Sequence, residues 1–102
     1  MKNLIINTIE QINILRDKFI DDENNAYIYM LDVIKMINAV FNPVIRVLAD
    51  NKDIESQKWI ENCRKKFKLL EECIEKRDTI GIIDVLCYEI KMIMEELGEV
   101  VG

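Results

Sequence analysis

The residues of this chain whose types and spacing could do chemistry are Asp84, Tyr88, Glu89 and Lys91, set within an otherwise apolar C-terminal segment. On a helix Asp84 and Tyr88 stand four residues apart and share a face, and Lys91 follows three beyond Tyr88. Glu89 is displaced by about 100° from Tyr88 on an α-helix, so a paired-carboxylate acid–base site with Asp84 is not expected. Two readings fit the cluster. It is either a polar patch that recognises a partner helix or peptide, or a packing feature. In the second case Asp84 bonds to a neighbouring helix end, while Tyr88 buries its ring and exposes its hydroxyl. Ordinary packing favours the second.

Catalytic alternatives are sparse. The chain has no histidine, which removes the commonest general base, metal ligand and neutral-pH switch together. It has no glycine-rich phosphate loop, and no serine, cysteine or lysine has an identifiable base beside it. Cys63, Cys73 and Cys87 form an odd set without CxxC spacing. Zinc requires about four ligands, so buried apolar thiols are the better account. The di-metal carboxylate bundle needs Glu-x-x-His on two helices and fails for the same lack of histidine. Arg64, Lys65, Lys66 and Lys68 make the densest basic cluster, but Glu61, Glu71, Glu72 and Glu75 flank it, and mixed charge reads as a solvated face. No catalytic, cofactor-binding or metal residue is assigned.

Composition narrows the class further. A chain of 102 residues has room for one domain, 1–102, with a modest core. Half the residues are hydrophobic and 32% are charged, so neither a disordered chain nor a membrane protein is expected. The net charge of −5 disfavours nucleic-acid binding, which needs a basic face. The apolar excess in so short a chain suggests burial against a protein partner or a second copy. Asn7, Glu10 and Gln11 interrupt the N-terminal apolar run, so no signal peptide is read there. Reduced thiols in the cytoplasm are expected.

The elements that must position the cluster are helical. Apolar residues recur at spacings of three and four from Ile5 through Ile9, Ile12, Leu15 and Phe19, predicting a first helix from about Leu4 to Ile20. The acidic run Asp21–Asn25 caps a second helix starting near Asn25 or Ala26. That helix is apolar almost all round, apart from a stripe of Asp32, Lys35, Asn38, Asn42 and Arg46. The stripe keeps one phase through Pro43, which favours one long helix, kinked or broken near the proline. Asp53 caps a third helix, whose seam is Ile60, Cys63, Phe67, Leu70 and Ile74. If that seam is fully core, Phe67→Ala costs about 3–5 kcal/mol. Tyr27, Tyr29 and Trp59 lie near helix starts and either close the core or form an interface patch, core closure being favoured. The fourth helix opens at the cap Asp78, buries Ile82, Leu86, Ile90, Ile93 and Leu97, and stops at Gly98. Gly81, near its start, allows a close approach of backbone to backbone at the turn. Links this short predict an all-α, antiparallel four-helix bundle.

The pattern Asp78, Asp84, Leu86, Tyr88, Glu89 and Ile90 resembles the C-terminal helix of an uncharacterised family of small helical proteins from Gram-positive bacteria. Related segments occur in motility-associated proteins, including some glycosyltransferases. Ile83 and Cys87 depart from that pattern, where a small and a polar residue are usual. The resemblance implies a helical fold and a link to motility or surface-structure regulation, with no catalytic residue to carry over.

Two functions of different class are therefore carried forward. The first is a non-catalytic protein–protein interaction module, a helical-bundle adaptor or regulator that could self-associate. The other is a small ligand-binding or enzymatic bundle with a pocket near Asp84 and Tyr88.

Overall fold

The computed structural model describes residues 1–101, which contain four helices and no strand. The first, α1 (Lys2–Asp21), buries Ile5, Thr8, Ile12, Leu15 and Phe19, one residue per turn along a single stripe. Thr8 is fully buried without an unmet donor, because its hydroxyl donates to the Leu4 carbonyl at 2.7 Å.

One residue separates α1 from the second helix, α2 (Glu23–Ala49). Asp22 donates its amide to the Lys18 carbonyl at 2.7 Å and accepts the Asn25 amide with its side chain. This shared joint starts α2 two or three residues earlier than the acidic run alone suggests.

The second helix runs unbroken through Pro43. Proline there leaves the Ala39 carbonyl without its helical donor. Both residues lie on the exposed side, where water can take the place of that donor. By length and composition α2 could cross a membrane. In the fold, however, Ala26, Met30, Val33, Ile37, Val40 and Phe41 are buried in the core, and the stripe from Asp32 to Arg46 is exposed. Fully burying a side chain such as Met30 or Ile37 contributes about 1.5–3 kcal/mol.

The third helix, α3 (Ile54–Glu75), starts at Asp53 and buries Ile60, Cys63 and Leu70. Phe67 and Ile74, expected in the same seam, are only half-buried. The Phe67 ring meets Phe41 edge-on at 5.2 Å, and Trp59 stacks on Phe41 at 6.0 Å. These rings close one side of the core, as Tyr27 does elsewhere by meeting Phe19 edge-on at 5.1 Å.

The fourth helix, α4, covers residues 79–101 in three parts: an opening turn Thr79–Ile83, a π-helical stretch Asp84–Ile90, and an α-helical stretch Lys91–Val101. It does not stop at Gly98, which lies inside the last stretch. A glycine stop needs the left-handed conformation, and no glycine in the described residues has a positive φ. The core lies where α1 packs on α2 and on the C-terminal half of α4, while α3 packs on α2 and on the N-terminal half of α4.

Candidate functional site

The link between α3 and α4 fixes the geometry of the candidate site. Arg77 takes a φ of 49°, the left-handed conformation that glycine usually supplies at a helix end. The Arg77 amide donates to the Ile74 carbonyl at 3.0 Å and the Asp78 amide to the Cys73 carbonyl at 2.9 Å. This pair of bonds is the Schellman pattern, and it satisfies the last carbonyls of α3. Asp78 then caps α4, its side chain accepting the Gly81 amide at 3.0 Å. The Arg77 guanidinium lies 4.1 Å from the centre of the Tyr27 ring, and the Tyr27 hydroxyl is 3.0 Å from Thr79 Oγ1. Tyr27 thus ties α2 to the link.

Gly81 sits against α3 more closely than any other residue could. A β-carbon there would come within 2.8 Å of Cys73 Sγ and 2.6 Å of Asp78 Oδ2. The backbone-to-backbone approach expected from the sequence is not what Gly81 meets: its close neighbours are the Cys73 and Asp78 side chains.

Beyond Gly81 the helix widens. The Lys91 amide donates to the Leu86 carbonyl, five residues back rather than four. Val85, Leu86, Cys87 and Ile90 are all buried in this stretch. An α-helical turn turns three consecutive residues too far apart to bury them so fully against few neighbours; the wider turn eases that conflict.

Gly81, Asp84, Val85, Tyr88 and Glu89 stand at i, i+3, i+4, i+7 and i+8, the spacing of one broad helix face, with the neighbours Tyr88 and Glu89 towards opposite sides of it. Asp84, Tyr88 and Glu89 line one open groove of about 550 Å³, together with Gly81 and Val85 of α4 and Leu69 and Cys73 of α3. Among the described residues the Asp84 carboxylate has no hydrogen-bond or ion-pair partner, so it does not cap a neighbouring helix. Tyr88 is 61% exposed, so its ring is not packed into the core either.

Glu89 is held differently. Lys66 Nζ donates to Glu89 Oε1 at 2.6 Å, with both side chains partly buried. Lys66 was read as part of a solvated charged face, and no local signal marks a partner 23 positions away in sequence. At the floor of the groove, burial pushes the Cys73 thiol pKa up. Asp78, Glu72 and Asp84 push it the same way, and Lys76 opposes them. The floor therefore sits in a net negative field.

Lys91 belongs elsewhere. It faces a separate cleft of about 230 Å³ with Arg16, Cys87, Tyr88, Met92 and Glu95, and it lies 3.9 Å from Glu95. Only Tyr88, on the ridge between the two, borders both clefts. A third depression, about 280 Å³, is walled by Met1, Pro43, Val44, Val47 and Leu48, apolar side chains throughout.

Among the described residues no three histidine, cysteine, aspartate or glutamate side chains are grouped so as to hold a metal ion. The Cys63 thiol is fully buried and its pKa is pushed up by that burial to about 11, and burial also raises that of Cys87. Both behave as small apolar side chains.

A family model described as a domain of unknown function (DUF8042) matches residues 1–100, and the chain belongs to that family. No curated protein and no solved structure matches it significantly.

Proposed function

We propose that this member of a family of unknown function is a non-catalytic protein–protein interaction module, an adaptor or regulator working in the cytoplasm. The observation that carries the reading is the distribution of its apolar surface. Leu69 and Tyr88 stand exposed at the α3–α4 groove, Met92 extends the Tyr88 ridge, and Met1 and Val47 flank the apolar depression near Pro43. Ile20, Ile28, Leu31, Ile54 and Ile80 are exposed outside these grooves, so apolar surface is spread over several faces, and this much of it on a small chain supports a surface that meets another protein. The motility-associated likeness of the Asp78–Ile90 pattern supports a regulator of motility or surface structures.

Solution mass by light scattering, followed by capture from a bacterial lysate on the immobilised chain, tests this. The 12.0 kDa chain is expected to run as a dimer or to retain a protein in stoichiometric amount. A strict monomer that retains nothing sinks the reading.

The α3–α4 groove also favours a second reading, a ligand-binding bundle, because about 550 Å³ lies within the range of small-molecule sites. Its openness to solvent along two helices speaks for a protein segment instead. Thermal-shift screening of the intact chain against metabolite-sized ligands separates the two.

A further inference from the structure

We propose that the α3–α4 groove is the docking site for a basic amphipathic helix of a partner protein, seated on Leu69 and Tyr88 with a lysine or arginine against Asp84. This deepens the interaction-module reading and rests on it.

The shape sets the first requirement. The groove follows α4 from Gly81 to Glu89, roughly 12 Å at 1.5 Å per residue. That length matches about two turns of an incoming helix, which would present anchors at i, i+3 or i+4, and i+7. Leu69 and Tyr88 give an apolar surface for such anchors, and Gly81 adds no side chain to the groove wall between them.

Charge sets the second requirement. Glu89 is already neutralised by Lys66 at 2.6 Å. Asp84 is exposed and has no partner among the described residues, and Asp78 and Glu72 add to the negative field at Cys73. An acidic occupant would meet the unpaired Asp84 carboxylate, while at Cys73 the carboxylates of Asp78, Glu72 and Asp84 act against Lys76. A basic one gains a contact with Asp84 and displaces no existing ion pair. Tyr88 completes the site, since an exposed aromatic ring beside a carboxylate receives both the apolar stem and the charged head of a lysine or arginine.

The test is selection from a displayed library of random peptides of about 16 residues, long enough for about four helical turns, on the intact chain. Recovered peptides are expected to carry lysine or arginine among apolar residues at helical spacing. The tightest of them, synthesised and measured by fluorescence polarisation, should lose at least about tenfold in affinity on Asp84→Lys and on Leu69→Asp. Lys91→Ala, in the neighbouring cleft, should leave its affinity unchanged, and added salt should weaken it. Both groove positions are exposed, and circular dichroism of each variant confirms that it is folded.

Acidic or uncharged peptides, no recovered peptide, or equal binding to Asp84→Lys would each overturn the proposal. Binding that survives in both groove variants leaves the interaction-module reading standing while this one fails. Dimerisation of the chain abolished by Asp84→Lys would show that a second copy fills the groove, and would likewise overturn it.

Discussion

Lys66 on α3 donates to Glu89 on α4 at 2.6 Å, and that bond joins the middle of one helix to the π-helical stretch of another. Exposed pairs contribute about 0.2–1 kcal/mol, and this one is only partly exposed. A double-mutant cycle with Lys66→Met and Glu89→Gln is therefore expected to give a coupling of about 0.5–1.5 kcal/mol in urea unfolding. Near 1 M salt the coupling should shrink. Strict additivity of the two substitutions would mean that the bond adds no stability.

The two helical glycines of α4 should respond oppositely to alanine. At Gly98 a β-carbon would rest 3.5 Å from Ile5 Cγ2, an ordinary contact. Gly98→Ala should stabilise by about 0.5–1 kcal/mol. At Gly81 the same change drives into Cys73 Sγ and the Asp78 carboxylate, disturbing a cap worth about 1 kcal/mol. Gly81→Ala should destabilise despite its better helix propensity. Combining it with Cys73→Ala should recover part of the loss. Denaturant midpoints for these three variants and the parent chain decide the matter.

Arg77 gives a sharper comparison. The left-handed conformation costs a residue with a β-carbon about 1–2 kcal/mol, and the stacking on Tyr27 returns about 0.5–2 kcal/mol. Arg77→Gly exchanges one for the other, and should change stability by less than about 0.5 kcal/mol. Arg77→Ala keeps the strain and loses the ring contact, so it should be the less stable of the two by about 1 kcal/mol. Equal stability of the two variants would show that backbone strain is not the term that matters, and an Arg77→Ala as stable as the parent would remove the ring contact as well.

The buried thiol of Cys63 makes stability depend on alkaline pH. Its pKa is raised by burial from 9.0 to about 11 in the folded chain. Between those values the unfolded chain has released a proton that the folded chain keeps, so the folded state binds more protons. Stability is thus expected to fall as pH rises from 9.0 to about 11. The fall should be shallower in Cys63→Ala, followed by urea midpoints across that range. An identical slope in both proteins would remove Cys63 from the account.

How far this architecture can be read from residues alone differs along the chain. The stripe of α1 and the cap at Asp78 follow from spacing and side-chain type, and both stand as expected except that Ile9 is half-buried and Thr8 is buried beside it. Phe67 has the right spacing for the core, yet it lies at the edge of the bundle and is only half-buried. Its replacement by alanine should accordingly cost less than the roughly 3 kcal/mol that full burial implies.

The π-helical stretch has no such local signature. It arises where Val85, Leu86, Cys87 and Ile90 must all be buried in one assembled core. Periodicity assumes a constant turn, so it gives no sign of the five-residue closure from Lys91 to Leu86. Lys66 and Glu89 meet only because α3 and α4 pack together, and charge patterning along one helix does not reach across to another. Gly98 carries a stop signal by type, but its conformation remains helical.

Asp78 ends the hydrogen bonding of α3 through its amide and begins that of α4 through its side chain and carbonyl, which accept from Gly81 and Ile82. No independent loop stands between the two helices to absorb a fluctuation. Local opening that frays one end must also release the other, so this corner opens as one cooperative unit. The amides around Asp78 are therefore expected to share one protection against hydrogen exchange, and a segment docking in the adjacent groove should slow them all together.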